Sequence, residues 1–145
     1  MSDFSLPEPQ LVPCVSFILL RDGCVLLEKR RADKPVDPGL VMVPGGHIED
    51  GESQQQALIR EVREELGVEV SAAHYVASLL HPTTEVQLLH YWLVSEWAGD
   101  ICAYEADEVF WQPLTELHQF ILTPDDIALR EAQRLFPQLA DTRPR

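Results

Sequence analysis

The chain has 145 residues, 46% hydrophobic and 24% charged, which fits one domain able to bury its own core without disulfide staples. A formal net charge of −13 argues against a nucleic-acid partner or an anionic membrane surface, since both need clustered Lys and Arg. The three scattered cysteines, Cys14, Cys24 and Cys102, form no CxxC pair and so promise neither a disulfide frame nor a zinc site.

In chain order, residues 1–10 and 138–145 read as loose tails of a single 1–145 domain. Leu11–Leu20 is apolar apart from Ser16 and reads as a buried strand. It is too short to span a bilayer and lacks a basic flank, so no membrane segment is expected and a cytoplasmic location is the default. Arg21-Asp22-Gly23 is a hairpin turn and Cys24–Glu28 the returning strand. Lys29–Gly39, with Pro35 and Pro38, reads as a loop, Leu40–Val43 as a short strand, and Pro44-Gly45-Gly46 as a break in regular structure. A helix follows: Ser53 and Gln56 make a capping box, Leu58, Val62 and Leu66 form one apolar stripe, and Gly67 suits a left-handed terminus. Val68–Leu80 and Val86–Trp97 read as strands, Ala98-Gly99-Asp100 as a turn, and Val109–Gln112 as a short strand. A short helix near Leu114–Phe120 and a longer one from about Pro124 to Phe136 close the chain, with Thr123 as N-cap. Strands mixed with helices at this length predict an α/β sandwich around a mixed sheet.

Chemistry concentrates on the Ser53–Leu66 helix. At about 100° per residue, Glu61, Glu64 and Glu65 fall on one face beside the apolar stripe. Acids crowded together near a helix C-terminus repel one another and oppose the macrodipole, an arrangement that makes sense with cations among them. Mg²⁺ suits such oxygen ligands and bridges to phosphate. Any phosphorylated substrate of so acidic a chain needs that metal to reverse the local field. Glu52 and Arg60 are placed to brace the preceding loop on the helix, and Gly45-Gly46 lets backbone carbonyls approach a ligand. Lys29, Arg30, Arg31 and Lys34 form the one basic cluster, suited to hold phosphates. Tyr91, Trp92 and Trp97 offer stacking surface for a base, although strand aromatics usually belong to the core.

Residues Gly46 to Val68 reproduce the pattern G-x5-E-x7-R-E-U-x-E-E-x-G-U without departure, and the chain thereby resembles a Nudix hydrolase; the layout around that pattern, with Leu89-His90-Tyr91-Trp92-Leu93-Val94 followed by Glu96-Trp97-Ala98-Gly99, is similar to the MutT type. The resemblance implies a Nudix α/β/α sandwich and hydrolysis of a nucleoside diphosphate linked to another group X. A nucleoside triphosphate cleaved to monophosphate and pyrophosphate heads the readings. An ADP-ribose or sugar-nucleotide pyrophosphatase is the alternative, faintly favoured by Pro82. A non-catalytic nucleotide sensor is a further one, although such modules are expected to lose box carboxylates that are all present here. By the same resemblance Glu61 and Glu65 are the main metal ligands, Glu64 is close to the metal directly or through water, and the Gly46 carbonyl is a further ligand. Glu52 and Arg60 support the site. The metal is Mg²⁺, with Mn²⁺ as a substitute. The catalytic set is Glu64, Glu65 and a residue of the later acidic loop, where Glu105 and Glu108 compete and Glu108 is favoured. Lys29, Arg30 and Arg31 are assigned to substrate, as is Asp125 near the start of the last helix. There the mutator enzyme uses an asparagine to read its base, and this chain has Thr123-Pro124-Asp125-Asp126 and no asparagine. An ionised Asp accepts hydrogen bonds but cannot donate, which alters the base preference. The partner is a small nucleotide, and the chain is a monomer or homodimer.

Overall fold

The structure, a computed structural model, describes residues 10–117 and 122–140. Leu11–Arg21 forms strand β1 and Cys24–Lys29 forms β2. Asp22 and Gly23 both have positive φ (52° and 74°), the two-residue hairpin geometry expected of Asp-Gly. Val41–Met42 forms β3, Gly45–His47 β4, Gln54–Leu66 helix α1, Glu69–Pro82 β5, Val86–Ala98 β6 and Glu108–Pro113 β7. Helix α2 spans Thr123–Leu135 and a short helix α3 spans Pro137–Ala140.

β1 is the pivot of the sheet. It runs parallel to β6, with Leu11 opposite Val86 and Leu19 opposite Val94. On its other edge it pairs antiparallel first with β4, then with β2. β5 pairs antiparallel with β6, and β2 carries both β3 and β7. One parallel and several antiparallel pairings make the sheet mixed, as expected. Helices cover both faces, which explains the unbroken apolar run of β1. Phe17 and Leu19 pack under Leu58, Val62 and Leu66 of α1. Ile18 and Leu20 pack on the opposite face with Ala128, Leu129 and Ala132 of α2. The aromatic strands serve this packing: Tyr91 is fully buried, Trp92 donates to Gln54 from beneath α1, and Trp97 stacks on Trp111 with the Arg21 guanidinium over both rings.

Four local expectations are corrected. Gly45-Gly46 does not interrupt regular structure; Gly45–His47 pairs with Cys14–Ser16 as a strand. Thr123 is the first residue of α2 rather than its cap; Leu122 occupies the cap position without a side-chain bond, and Pro124 tolerates the first turn because it lacks only an amide the helix leaves free. Of the helix expected at Leu114–Phe120, a 3₁₀ turn forms at Leu114–Glu116, and residues 118–121 lie outside the described residues. The C-terminal tail expected from residue 138 begins as part of α3, while residues 1–9 and 141–145 lie outside the described residues. Among the described residues no helix is long and apolar enough to cross a membrane.

Candidate active site

Helix α1 delivers the acids because both its ends are specified locally. Ser53 accepts from the Gln56 amide at 3.1 Å while the Gln56 side chain accepts from the Ser53 amide at 2.9 Å. Gly67 ends the helix at φ 73°, its amide donating to the Arg63 carbonyl. Two of the last free carbonyls are taken by the following acidic loop: Cys102 N–H donates to Leu66 and Tyr104 N–H to Glu65. The other end of that loop is tied by Asp107 N–H to the Lys29 carbonyl. These ties set Glu105 over the C-terminal half of α1.

Between α1, β4, the 30–36 segment and β6 lies an open cleft of about 390 Å³. Glu61, Glu64, Glu65 and Glu105 line one part of it, and Arg30 and Lys34 line another. Arg60 organises the acids. It grips Glu52 bidentately at 2.7 and 2.8 Å, donates to the His47 carbonyl at 2.9 Å, and reaches Glu61 at 2.7 Å and Glu64 at 3.2 Å. The guanidinium holds the Glu52 carboxyl down to about 2. Glu61 and Glu65 are each 8% exposed, whereas Glu64 stands at the rim. Burial pushes Glu61 above the usual carboxylate range despite Arg60. Burial, then the charges of Glu28 and Glu61, push Glu65 well above it.

Glu28, not among the residues expected from the sequence, joins these acids in a small recess beside the cleft that Glu65 and Glu105 also line. It is 3% exposed and driven up to about 7, first by burial and against the pull of Arg30, whose Nη1 is 4.0 Å from its carboxylate. Its signal in the sequence is an acid closing an apolar strand, with nothing local to say what it faces. Glu65 Oε2 is sealed from solvent with no hydrogen-bond partner. A sealed anionic oxygen among like charges fits a missing cation. Among the described residues no three acid, His or Cys side chains already converge on a single metal point.

The glycine pair is explained by contact rather than by backbone freedom. Neither Gly45 nor Gly46 has positive φ. A Cβ on Gly46 would lie 2.2 Å from a Glu61 carboxylate oxygen, and one on Gly45 would lie 2.3 Å from the Val15 carbonyl.

The basic cluster divides. Arg30 and Lys34 line the cleft, Arg30 also donating to the Val36 carbonyl at 2.9 Å. Arg31 pairs with Asp33 in the open and reaches only a small recess beside the cleft, and Lys29 is exposed at the end of β2 and does not line it. Glu108 begins β7 opposite Lys29, exposed and not among the lining residues, so of the two loop acids the cleft receives Glu105. Asp125 is not open to a substrate either. It is 1% exposed, accepting from the Val43 amide at 2.9 Å and from the Tyr91 hydroxyl, so both carboxylate oxygens are occupied. Burial lifts it to about 6. Tyr91, Trp92 and Trp97 do not line the cleft.

Packed carboxylates facing cations across a cleft define a site for polyanionic phosphate chemistry. Residues 10–135 match the NUDIX domain family, and the chain belongs to it. It is similar to the CTP pyrophosphohydrolase of Escherichia coli (strain K12), 40% identical over 124 residues that cover 85% of this chain and 91% of that protein. The solution structure of the E. coli ORF135 protein superposes with a TM-score of 0.74 at 37% identity, covering 92% of this chain and 96% of that one. The MutT NUDIX hydrolase of Burkholderia pseudomallei gives 0.76 at 26% identity, covering 84% and 98%. The chain is a Nudix hydrolase of the MutT type, an enzyme acting on phosphoric anhydride bonds of nucleotide-linked substrates.

Gly46→Ala tests the close approach. The clash is with the flexible end of a side chain, so thermal stability is expected to change by less than about 1 kcal/mol. The displaced Glu61 carboxylate is expected to lower hydrolysis by at least about tenfold and to raise the metal concentration needed for half-activity. Unchanged metal dependence would separate Gly46 and Glu61 from the reacting centre.

Proposed function

We propose that the protein is a Mg²⁺-dependent nucleoside triphosphate pyrophosphohydrolase, releasing the nucleoside monophosphate and pyrophosphate. The carrying observation is Glu65, a buried carboxylate with one unpartnered oxygen, repelled by Glu28 and Glu61 in a cleft that also presents Arg30 and Lys34. Glu61, Glu65 and the Gly46 carbonyl would hold the metal, Mg²⁺ or in its place Mn²⁺, with Glu64 at the rim within reach through water and Glu28 as an additional inner acid. When bound, the ion supplies Lewis-acid neutralisation of the phosphate charge and makes a water more acidic. Arg30 and Lys34 bind phosphate oxygens and set the chain of phosphates across the acids. Arg60 keeps the Glu61 carboxylate oriented and Glu52 keeps Arg60 in place. Glu105 takes the proton of the attacking water as its oxygen bonds to phosphorus and the anhydride P–O bond to pyrophosphate breaks. The substrate is a small nucleotide, in line with the similarity to a CTP pyrophosphohydrolase.

The test is pyrophosphate release from a panel of nucleoside triphosphates, ADP-ribose and sugar nucleotides, with Mg²⁺ and with EDTA. Metal-dependent turnover of a triphosphate is expected. Glu105→Gln is expected to lower kcat by roughly 10²-fold, the scale of a lost general base, and Glu108→Gln by less than about threefold. Turnover confined to ADP-ribose or sugar nucleotides would overturn the triphosphate reading, and equal losses in the two variants would overturn the role of Glu105.

A further inference from the structure

Away from the acids, the cleft wall is built by Cys14 and Ser16 of β1 and by Gln87 and Leu89 of the neighbouring β6, with Cys14 opposite Leu89. Gln87 is 7% exposed, and its amide is held in one orientation. Its Nε2 donates to Glu85 Oε1 at 2.9 Å. An ionised carboxylate only accepts, so the nitrogen and not the oxygen of Gln87 must face it. Glu85 is itself fixed. His47 Nε2 lies 3.1 Å from the same oxygen, and the Thr83 hydroxyl and amide both bond the Glu85 carbonyl in the β5–β6 turn. Among the described residues no donor reaches Gln87 Oε1, and that atom is not sealed from solvent, in a residue that lines the cleft.

The other polar groups nearby do not discriminate between donors and acceptors. The Ser16 hydroxyl serves as either, the Cys14 thiol is turned to the Val12 carbonyl at 3.6 Å, and the oxygens of Asp125 are already used by Val43 and Tyr91. We propose that Gln87, oriented by Glu85, is the residue that reads the nucleobase, accepting from an exocyclic amino group such as cytosine N4 or adenine N6 and disfavouring a carbonyl in the same place. The inference deepens the nucleotide-hydrolase reading above and rests on it for the class of ligand.

Equilibrium binding of nucleoside monophosphates with Mg²⁺ tests it independently of which anhydride is cleaved. CMP is expected to bind at least about tenfold tighter than UMP, or AMP than IMP, the worth of about one net hydrogen bond. Whichever pair shows the preference identifies the base. Gln87→Leu is expected to bring that ratio close to one. Glu85→Gln, whose amide can donate as well as accept, frees Gln87 to turn over and is expected to shrink the ratio too, an effect that a merely structural pair would not have. The same ratio is expected in kcat/KM for the triphosphates, carried by KM. Ratios near one in the wild type, ratios preserved in Gln87→Leu, or no binding of any of the four overturn the assignment. Absence of triphosphate turnover with the binding preference intact overturns only the choice of triphosphate as substrate.

Discussion

Glu65→Gln is expected to lower kcat for nucleotide hydrolysis by roughly 10²–10³-fold while the protein folds normally, because the lost charge weakens the hold on the ion that would neutralise the reacting phosphate. The two side chains are nearly isosteric, so the core beneath α1, built on Leu58, Val62 and Leu66, is untouched. What disappears is the charge of a carboxylate with an unpartnered oxygen. The same change relieves repulsion from Glu28 and Glu61. Without metal, the variant is therefore expected to melt above the wild type at neutral pH, and the gain is expected to vanish in saturating Mg²⁺. Loss of activity together with a metal-free gain in stability distinguishes a charge held in place for an ion from a residue that holds the fold together. A kcat within tenfold of wild type would remove Glu65 from the centre of the reaction.

Metal-free protein is expected to lose stability as pH rises from about 5 to 7, and Mg²⁺ is expected to restore it. The carboxyl of Glu28 moves from its ordinary 4.5 to about 7 on folding, Asp125 rises to about 6, and Glu65 is displaced in the same direction. Groups raised in this way bind protons in the folded state that the unfolded chain has released. Their folded forms are thus favoured below about 4.5, and that advantage is lost as pH climbs through 6 and 7. For Glu28 alone the loss is on the order of 3 kcal/mol, which lowers Tm by roughly 5–10 °C. Glu52 works in the opposite sense. Held at about 2 by Arg60, it stabilises the fold above the ordinary carboxylate range and withdraws that support in stronger acid. The metal-free optimum therefore lies in mildly acidic solution. Denaturant titrations in EDTA and in Mg²⁺ across pH 4–8 check this. A metal-free stability that stays flat or rises between pH 5 and 7 would contradict the crowding of Glu28 and Glu65 in the folded state.

The centre of the site is legible in the amino-acid sequence because it is local. Gly46, Glu52, Arg60, Glu61, Glu64 and Glu65 lie within one short stretch of chain, from β4 through a loop into helix α1, whose period sets which of its side chains share a face. The Ser53–Gln56 capping box and the left-handed Gly67 are readable for the same reason, as is the Asp22-Gly23 hairpin. The same local logic misleads at the glycine pair. Composition alone reads Gly-Gly as a break, yet the Cβ-free surface is needed where β4 lies against β1 and where Glu61 comes up beneath Gly46.

The amino-acid sequence by itself thus determined the family pattern and the acidic face of α1, which follow from spacing within one segment, and the mixed α/β architecture, which follows from the order of strand and helix patterns along the chain. Only the tertiary structure decided the rest of the cleft. Glu28 of β2 and Glu65 of α1 are brought to one recess that both line, where the charge of Glu28 bears on Glu65. Glu105 rather than Glu108 lines the cleft because loop amides bond the last carbonyls of α1, while Glu108 lies in β7. Asp125 is buried and bonded to Tyr91 and Val43, residues 34 and 82 positions away in the chain. Gln87 was oriented by a turn residue that His47 of β4 also holds. Apart from the bond between Gln87 and Glu85, two positions apart, the deciding contacts join residues far apart in the chain. Strand pairing and helix packing set such contacts, and no periodicity along the sequence encodes them.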